Sequence, residues 1–133
     1  MPITVTAPRG ILTPIGEREV LPRLTQALAA ATDATDRPDI IATIGGTVHR
    51  IDPQDVYAGG VPHPIVMVEV KLPQVALSTL QRRALFIAKA TEIVSELTID
   101  SHDDRDTWVN ILHAQDGAWG IGGQSLTNAM LAG

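Results

Sequence analysis

The residue best suited to catalysis is Pro2, which follows the first methionine and opens a segment in which apolar and polar residues alternate. An initiator methionine is commonly trimmed when the next residue is small, and a trimmed chain would begin with a secondary amine. Because no carbonyl would precede it, that nitrogen would keep its lone pair and act as a base or as a nucleophile. Alternatively, Pro2 only starts an edge strand, where a missing N–H costs nothing. The first ten residues leave both interpretations open.

Positive side chains that could hold an acidic substrate follow the strand-like segments. Lys71 lies near the end of the run "IVMVEVKL", and Arg9 follows the first strand, with Arg37 and Arg50 as second choices. A base that moves a proton next to a carbonyl needs such a cation, because negative charge develops on the enolate. The alternative for each is a solvated surface charge, since charged side chains are mostly exposed.

The sequence lacks the patterns of a metal or nucleotide site. It has no cysteine, and its histidines at positions 49, 63, 102 and 113 lack metal-ligand spacing. We interpret His49 and His113, on strand-like segments, as structural. The segment "GIGGQS" is followed by too few residues for the helix and strand of a dinucleotide-binding unit. We therefore expect neither a metal nor a cofactor.

Composition indicates a single globular domain over residues 1–133. Apolar residues make up 44% and charged residues 19%, which is typical of a folded chain. The net charge of -5, without a cluster of Lys and Arg, argues against a nucleic-acid partner. The sequence shows no signal-peptide pattern and no apolar run long enough to span a bilayer. We expect a cytoplasmic protein that does not bind membranes.

Hydrophobic periodicity predicts an alternation of strands and helices. Strands are predicted at residues 3–7, in "IVMVEVKL" and in "DTWVNILHA", and the β-rich run "IIATIGGTVHRI" carries a glycine pair typical of a bulge. A first helix is predicted over residues 14–32 with Thr13 as N-cap, and a second over residues 77–97 with Ser78 as N-cap. Pro22 is expected to bend or interrupt the first helix.

This order predicts two βαβ units in one α/β domain, that is, an α+β sandwich. Right-handed crossovers place both helices on one face of a four-stranded sheet. The other face is left uncovered, so we expect the chain to form oligomers.

Four segments, in order, resemble the tautomerase superfamily, whose members share a β-α-β fold and an amino-terminal catalytic proline. They are "MPIT" at the start, "TDRPD" after the first helix, "VEVKLPQ" at a strand end and "HAQDGAWGIGGQSL" near the carboxyl end. Within the superfamily, the chain is similar to longer, fused members such as malonate semialdehyde decarboxylase and the 3-chloroacrylic acid dehalogenases. The resemblance spans the whole length and implies a homotrimer.

The resemblance also implies roles for individual residues. Asp36 matches an acidic residue that orients water or substrate in the decarboxylase branch; a turn aspartate is the alternative. Trp119 matches a residue near the proline, where its ring would wall the pocket, although it could also plug the core. Lys71 stands where the family usually has arginine, and a lysine lacks the two-pronged grip of a guanidinium.

Two classes of function follow. The first is an enzyme that catalyses keto-enol tautomerisation of a small 2-oxo acid, with Pro2 as base, Arg9 and Lys71 holding the carboxylate, and Asp36 and Trp119 shaping the pocket. Decarboxylation or hydration of a small 3-oxo or unsaturated acid would use the same groups. The second is a catalytically silent trimeric binding or scaffold protein, which retention of Met1 would favour, because Pro2 would then be an amide.

Overall fold

A four-stranded mixed sheet with two long helices on one face forms the body of the protein. The computed structural model describes residues 1–132 of the chain. The sheet strands are β1 (Pro2–Pro8), β2 (Gly45–Ile51), β5 (Val66–Pro73) and β6 (Thr107–Ala114). The long helices are α1 (Pro14–Ala31) and α3 (Leu80–Leu97). The strand order is β2-β1-β5-β6, with each unit internally parallel and the two central strands antiparallel.

Smaller elements connect and close the two βαβ units. They are helix α2 (Pro38–Ile41), the hairpin of β3 (Tyr57–Ala58) with β4 (Val61–Pro62), the hairpin of β7 (Trp119–Ile121) with β8 (Gln124–Leu126), and helix α4 (Asn128–Ala132). No helix in the described part of the chain is long and apolar enough to cross a membrane. The two βαβ units and the four-stranded sheet expected from the sequence are confirmed.

The core lies between the sheet and the two helices. Alternate side chains of the central strands point into it, because successive residues of a strand face opposite sides. On β1 and β5 these fully buried residues are Ile3, Val5, Ala7, Val66, Val68, Val70 and Leu72. Helices α1 and α3 cover them with Val20, Leu24, Leu28, Phe86, Ala90 and Val94, among others. The opposite face carries the exposed Trp108 and Leu112 and has no covering helix.

The N-cap predicted from the sequence is confirmed for α1 but not for α3. Thr13 accepts a hydrogen bond from the Gly16 N–H at 2.9 Å, as an N-cap does. For the second helix the predictions of a start at residue 77 and of Ser78 as N-cap are wrong. Leu77 has a left-handed φ of 53°, which no helical residue adopts, and Thr79 caps the helix by accepting from Arg82 N–H at 3.1 Å.

Two further expectations are corrected, one about an interruption at Pro22 and one about a bulge at the glycine pair. Helix α1 runs on through Pro22, whose ring is exposed, so the Arg18 carbonyl that lacks its donor lies on the solvent side of the helix. The glycine pair is not a bulge: Gly45 and Gly46 pair in regular register with Pro2 and Ile3. A Cβ on Gly46 would lie 2.4 Å from the Ile3 carbonyl oxygen, so close approach is what requires glycine there.

Candidate active site

Pro2 and Lys71 lie side by side on the uncovered face of the sheet. Strands β1 and β5 pair with Ile3 opposite Val70, so continuing the antiparallel register by one residue brings Pro2 opposite Lys71. Both are exposed, and both alternate with buried neighbours that face the helices. The chain direction of two strands therefore places the proposed base and a candidate cation within one cross-strand step.

Trp119 stands on the β7–β8 hairpin over the same end of β1. It lines a shallow groove, here called the Pro2 groove, together with Met1, Pro2, Thr47 and Ile121, among others. Its indole Nε1 is buried and has no hydrogen-bond partner in residues 1–132. A buried donor without a partner costs free energy, so this N–H is an unsatisfied polar group beside the Pro2 groove. The expectation that Trp119 lies near Pro2 agrees with this placement.

Met1 is packed into the protein rather than projecting from it. Its residue is only 4% exposed, and its amine donates a hydrogen bond of 2.6 Å to the Thr43 carbonyl oxygen. Burial removes water from the ammonium form, and this desolvation lowers the pKa of the Met1 amine from 8.0 to about 6. The start of β1 is thus a place where the fold favours a neutral amine.

Beyond Met1 lies a cavity of about 290 Å³, here called the Met1 cavity. It is bounded by the end of α1, the turn into α2, the segment after β5 and the carboxyl-terminal helix. Its wall consists of Met1, Thr32, Asp33, Ala34, Arg37, Ile40, Pro73, Val75, Ala76 and Leu131. Apolar residues dominate this wall, but one guanidinium and one carboxylate also face the cavity.

Both charged groups of the Met1 cavity have partners outside it. Arg37 forms a two-pronged ion pair with Asp39, with hydrogen bonds of 3.1 and 2.9 Å, and Arg82 donates to Asp33 at 2.9 Å. Hydrogen bonding to Asp39 raises the pKa of Arg37 and lowers the pKa of Asp39. These pairs are exposed, so exchange of a partner for a ligand carboxylate costs little.

Two other sequence candidates lie away from this cluster within one chain. Arg9 follows the far end of β1 and lines an open groove with Glu17, His49 and Arg50. Asp36 is exposed on the turn before α2, while Asp33, Ala34 and Arg37 on either side of it line the Met1 cavity. One chain therefore brings together Pro2, Lys71 and Trp119, and leaves Arg9 at the opposite end of the sheet.

Sequence reasoning held Arg37 as a second choice for the anion site and did not name Ala34, Ile40 and Ala76, all of which line the Met1 cavity. One sequence signal for this region was available. Pro38 is typical of a first helical residue, so a short helix could have been predicted directly after Arg37. His113, which we interpreted as structural, binds the Ala76 carbonyl oxygen at 2.8 Å and so ties the end of β6 to the cavity wall.

Chemically, this end of the sheet offers three functions around Met1 and Pro2. A desolvated position for an amine suits a base that is neutral near pH 7. Lys71 and Arg37 supply positive charge on two sides. The Trp119 indole and the Thr43 carbonyl supply a hydrogen-bond donor and an acceptor. Together these groups suit a small anionic substrate that gains or loses a proton.

Comparison with known proteins identifies the fold. No protein-family model and no curated protein matches the chain. Among solved structures, a fused 4-OT described as a wild-type symmetric trimer is similar with a TM-score of 0.78 at 22% identity, over 100% of this chain and 99% of that chain. A member of the cis-3-chloroacrylic acid dehalogenase family gives a TM-score of 0.77 at 14% identity, over 95% and 83% of the two chains.

A third similar structure is a malonate semialdehyde decarboxylase inhibited by 3-bromopropiolate, with a TM-score of 0.71 at 17% identity over 94% of this chain and 92% of that chain. These proteins belong to one superfamily, and the likeness covers both βαβ units. The chain therefore has the fold of the tautomerase superfamily, as the motifs of its sequence predicted.

Proposed function

We propose that this chain, once Met1 is removed, is a tautomerase of small 2-oxo acids that uses the Pro2 nitrogen as general base. The observation that carries this proposal is the desolvated start of β1, where burial lowers the pKa of the Met1 amine to about 6. Removal of Met1 turns Pro2 into the terminal amine, one residue further along the chain. Desolvation at this end of β1 would lower the pKa of that secondary amine and so favour its neutral form, which can accept a proton.

The Pro2 nitrogen takes part in both proton transfers, first as the acceptor and then as the donor. In ketonisation, Pro2 accepts the proton of the enol hydroxyl, and the resulting ammonium returns a proton to the neighbouring carbon. Charge builds up on the enolate between these two steps. Lys71, across the sheet from Pro2, stabilises that charge and holds the substrate carboxylate, and the Trp119 N–H donates to a substrate oxygen.

Arg9 could contribute to this site only from another copy of the chain. It lies at the far end of β1 from Pro2, and the uncovered sheet face with exposed Trp108 and Leu112 needs a partner. We therefore propose a homotrimer in which Arg9 of one copy serves the site of its neighbour. The fused 4-OT that the chain resembles is described as a symmetric trimer. Asp36, on the turn beside Arg37, is proposed to orient water or substrate.

Decarboxylation of a small 3-oxo acid is the second candidate for the same site. It needs mainly a cation beside the developing enolate, which Lys71 provides, and one similar structure is a malonate semialdehyde decarboxylase. A catalytically silent protein is the third, and the packing of Met1 into the core favours it wherever Met1 is retained.

Intact mass and a ketonisation assay test the proposal together. The mass of the native protein is expected to show loss of one methionine. Ketonisation of phenylenolpyruvate by the Met1-free protein should then fall about 10²- to 10⁴-fold in Pro2→Ala, which removes the secondary amine. Thr6→Ala, on the same face of β1 but outside the groove, is the matched control and should keep its rate. Equal rates for the native protein and Pro2→Ala would remove Pro2 from the mechanism.

A further inference from the structure

The segment that connects α3 to β6 contains a histidine ring with one bonded and one unbonded nitrogen. His102 Nε2 lies 2.7 Å from the hydroxyl oxygen of Thr107, the first residue of β6. The backbone N–H of His102 donates to the Ile99 carbonyl oxygen at 3.0 Å. The ring Nδ1, by contrast, is buried and has no hydrogen-bond partner in residues 1–132. The ring is therefore held on one side and lies among groups that offer its Nδ1 neither a donor nor an acceptor.

The neutral ring suits these surroundings better than the charged one. When the ring proton is on Nε2, that nitrogen donates to Thr107 and Nδ1 keeps a lone pair. Protonation adds an N–H at Nδ1, which would be a buried donor without an acceptor, and places a charge in a partly desolvated position. Burial accordingly lowers the pKa of His102, and the attraction of Asp106, Asp104 and Asp103 offsets only part of this effect.

The turn that follows His102 holds a residue of the uncovered sheet face. Asp104–Asp106 form a short 3-10 helix, and Asp103 caps it by accepting from the Arg105 N–H at 2.8 Å. The Arg105 carbonyl oxygen in turn accepts from Trp108 Nε1 at 3.3 Å. Trp108 is 44% exposed on the uncovered face. The conformation of this turn therefore helps to fix the direction of the Trp108 ring.

We propose that His102 is an acid-sensitive latch of the 98–106 segment. Protonation displaces the ring from Thr107, the segment opens, and Trp108 loses its hydrogen bond to the Arg105 carbonyl oxygen. Because Trp108 lies on the face that a second copy is proposed to cover, acid also weakens the assembly. This inference goes beyond the proposed function, since the segment lies at the end of the sheet opposite Pro2 and takes no part in the proton transfers.

The direction of the pH effect follows from the two states of the ring. In the open segment His102 is solvated and its pKa lies near the ordinary value of 6.5, whereas burial keeps the pKa lower in the closed segment. The closed segment therefore has its full stability above about pH 6.5 and loses stability as the pH falls from there to the lower pKa.

Two other charged side chains at the turn do not produce this response. His63, from the connection before β5, binds Asp106 at 2.8 Å, and its protonation strengthens that pair, which stabilises the closed turn. Arg105 is exposed and pairs with Asp103. The acid response is therefore assigned to His102.

NMR and hydrogen exchange on the native protein test the inference. The carbon-bound ring protons of His102 should titrate with a pKa below 6.5. Exchange of the amides at positions 99–106, corrected for the intrinsic pH dependence of exchange, should be about tenfold faster at about pH 5 than at about pH 7.5, since one unit of pKa difference is a factor of ten. Unchanged exchange, or a His102 pKa at or above 6.5, would overturn the inference.

Two variants separate the His102 ring from the rest of the turn. His102→Gln keeps an amide that can reach Thr107 but cannot take up a proton, so the corrected exchange rate should no longer depend on pH. His63→Gln removes the other imidazole beside the turn and is the matched control, which should keep the acid response. An acid response retained in His102→Gln, or lost in His63→Gln, would contradict the role of His102.

Tryptophan emission and sedimentation measure the effect on Trp108 and on the assembly. The chain has two tryptophans, so Trp119→Phe leaves Trp108 alone. Its emission should change with the midpoint of the His102 titration, and adding His102→Gln should abolish the change. In sedimentation, the native protein should shift toward smaller species between about pH 7.5 and 5, and His102→Gln should not. Emission or assembly that is independent of pH in the native sequence at these positions would overturn the link to Trp108.

Discussion

The two ends of the sheet are built from the same strands but differ in what they offer a ligand. At the Pro2 end, strands β1 and β2 begin and β5 and β6 end, beneath the α1–α2 turn and the β7–β8 hairpin. Met1 is buried there, its amine is desolvated, and the Trp119 indole lacks a partner in residues 1–132. This end therefore combines a buried amine and a buried indole N–H with the exposed side chains of Pro2 and Lys71.

At the Arg9 end the polar groups are exposed and largely paired. Arg50 binds Glu17 at 2.8 Å, and His63 binds Asp106 at 2.8 Å. The groove that contains Arg9 and His49 is open and mostly polar in its surface. The difference teaches that buried polar groups, rather than the presence of charged residues, separate a candidate active site from a solvated surface, because water screens exposed charges.

Among the residues around Pro2, the largest effect is expected from the positive charge of Lys71. Lys71→Gln should lower kcat/KM about 10- to 100-fold, because a charge-assisted hydrogen bond to the substrate carboxylate is lost, whereas Lys71→Arg should keep or improve it. Steady-state kinetics on one 2-oxo acid measures both. Lys89→Gln, an exposed lysine of α3, is the control and should behave as the native protein.

Mixed trimers separate the two ends. Chains carrying Pro2→Ala and Arg9→Gln, each impaired alone, should regain activity when refolded together, because one site would combine Pro2 of one copy with Arg9 of another. The pair Pro2→Ala and Lys71→Gln should not, because both residues lie on the same chain at the same end. Recovery in the second mixture as large as in the first would break the comparison.

A smaller effect, on stability, is expected at the glycine pair below Pro2. Gly46→Ala should lower the free energy of unfolding by about 1–3 kcal/mol, since the added Cβ meets the Ile3 carbonyl oxygen at 2.4 Å. Gly45→Ala is the matched control, because its Cβ meets nothing within 4 Å and its unfolded chain loses freedom. Urea unfolding measures the free energy of unfolding of both variants. A larger loss for Gly45→Ala than for Gly46→Ala would show that β1 and β2 do not approach each other most closely at Gly46.

The smallest effect is expected at the Arg9 end. His63→Gln removes a solvent-accessible hydrogen bond to Asp106 and should change the free energy of unfolding by less than about 1 kcal/mol. Catalysis should not change, because this pair lies where β5 and β6 begin, at the opposite end of the sheet from Pro2. Thermal unfolding and the same kinetic assay measure the two quantities. A drop in kcat comparable to that of Lys71→Gln would show that this end of the sheet serves catalysis through residues other than Arg9.

The sequence was sufficient for the elements whose signals are local. Alternation in β1 and β5, the spacing of apolar residues in α1 and the Thr13 cap all depend on residues close together in the chain. The two βαβ units then follow from chain order and the handedness of crossovers. Thr79 was missed as the cap of α3 because Leu77 is buried in a left-handed conformation that hydrophobic spacing does not reveal.

The site could be predicted only in part, since it depends on contacts across the sheet. Pro2 and Trp119 were found by residue type and resemblance, and their proximity required the fold. Lys71 faces Pro2 through a register that no local signal fixes. Arg37 lines the cavity while its neighbour Asp36 does not. Tertiary packing determines which of these two side chains faces the cavity.

The most direct test of the central claim is the ionisation of the Pro2 nitrogen itself, followed by NMR on Met1-free protein labelled with ¹⁵N-proline. Desolvation disfavours the charged form of an amine, so the pKa should lie below that of an exposed terminal amine, as burial already lowers that of Met1 to about 6. Consequently kcat/KM should rise with pH through that pKa and level off above it. A Pro2 nitrogen that titrates in the ordinary range of an exposed amine, or that remains in a peptide bond in the mature protein, would contradict the account.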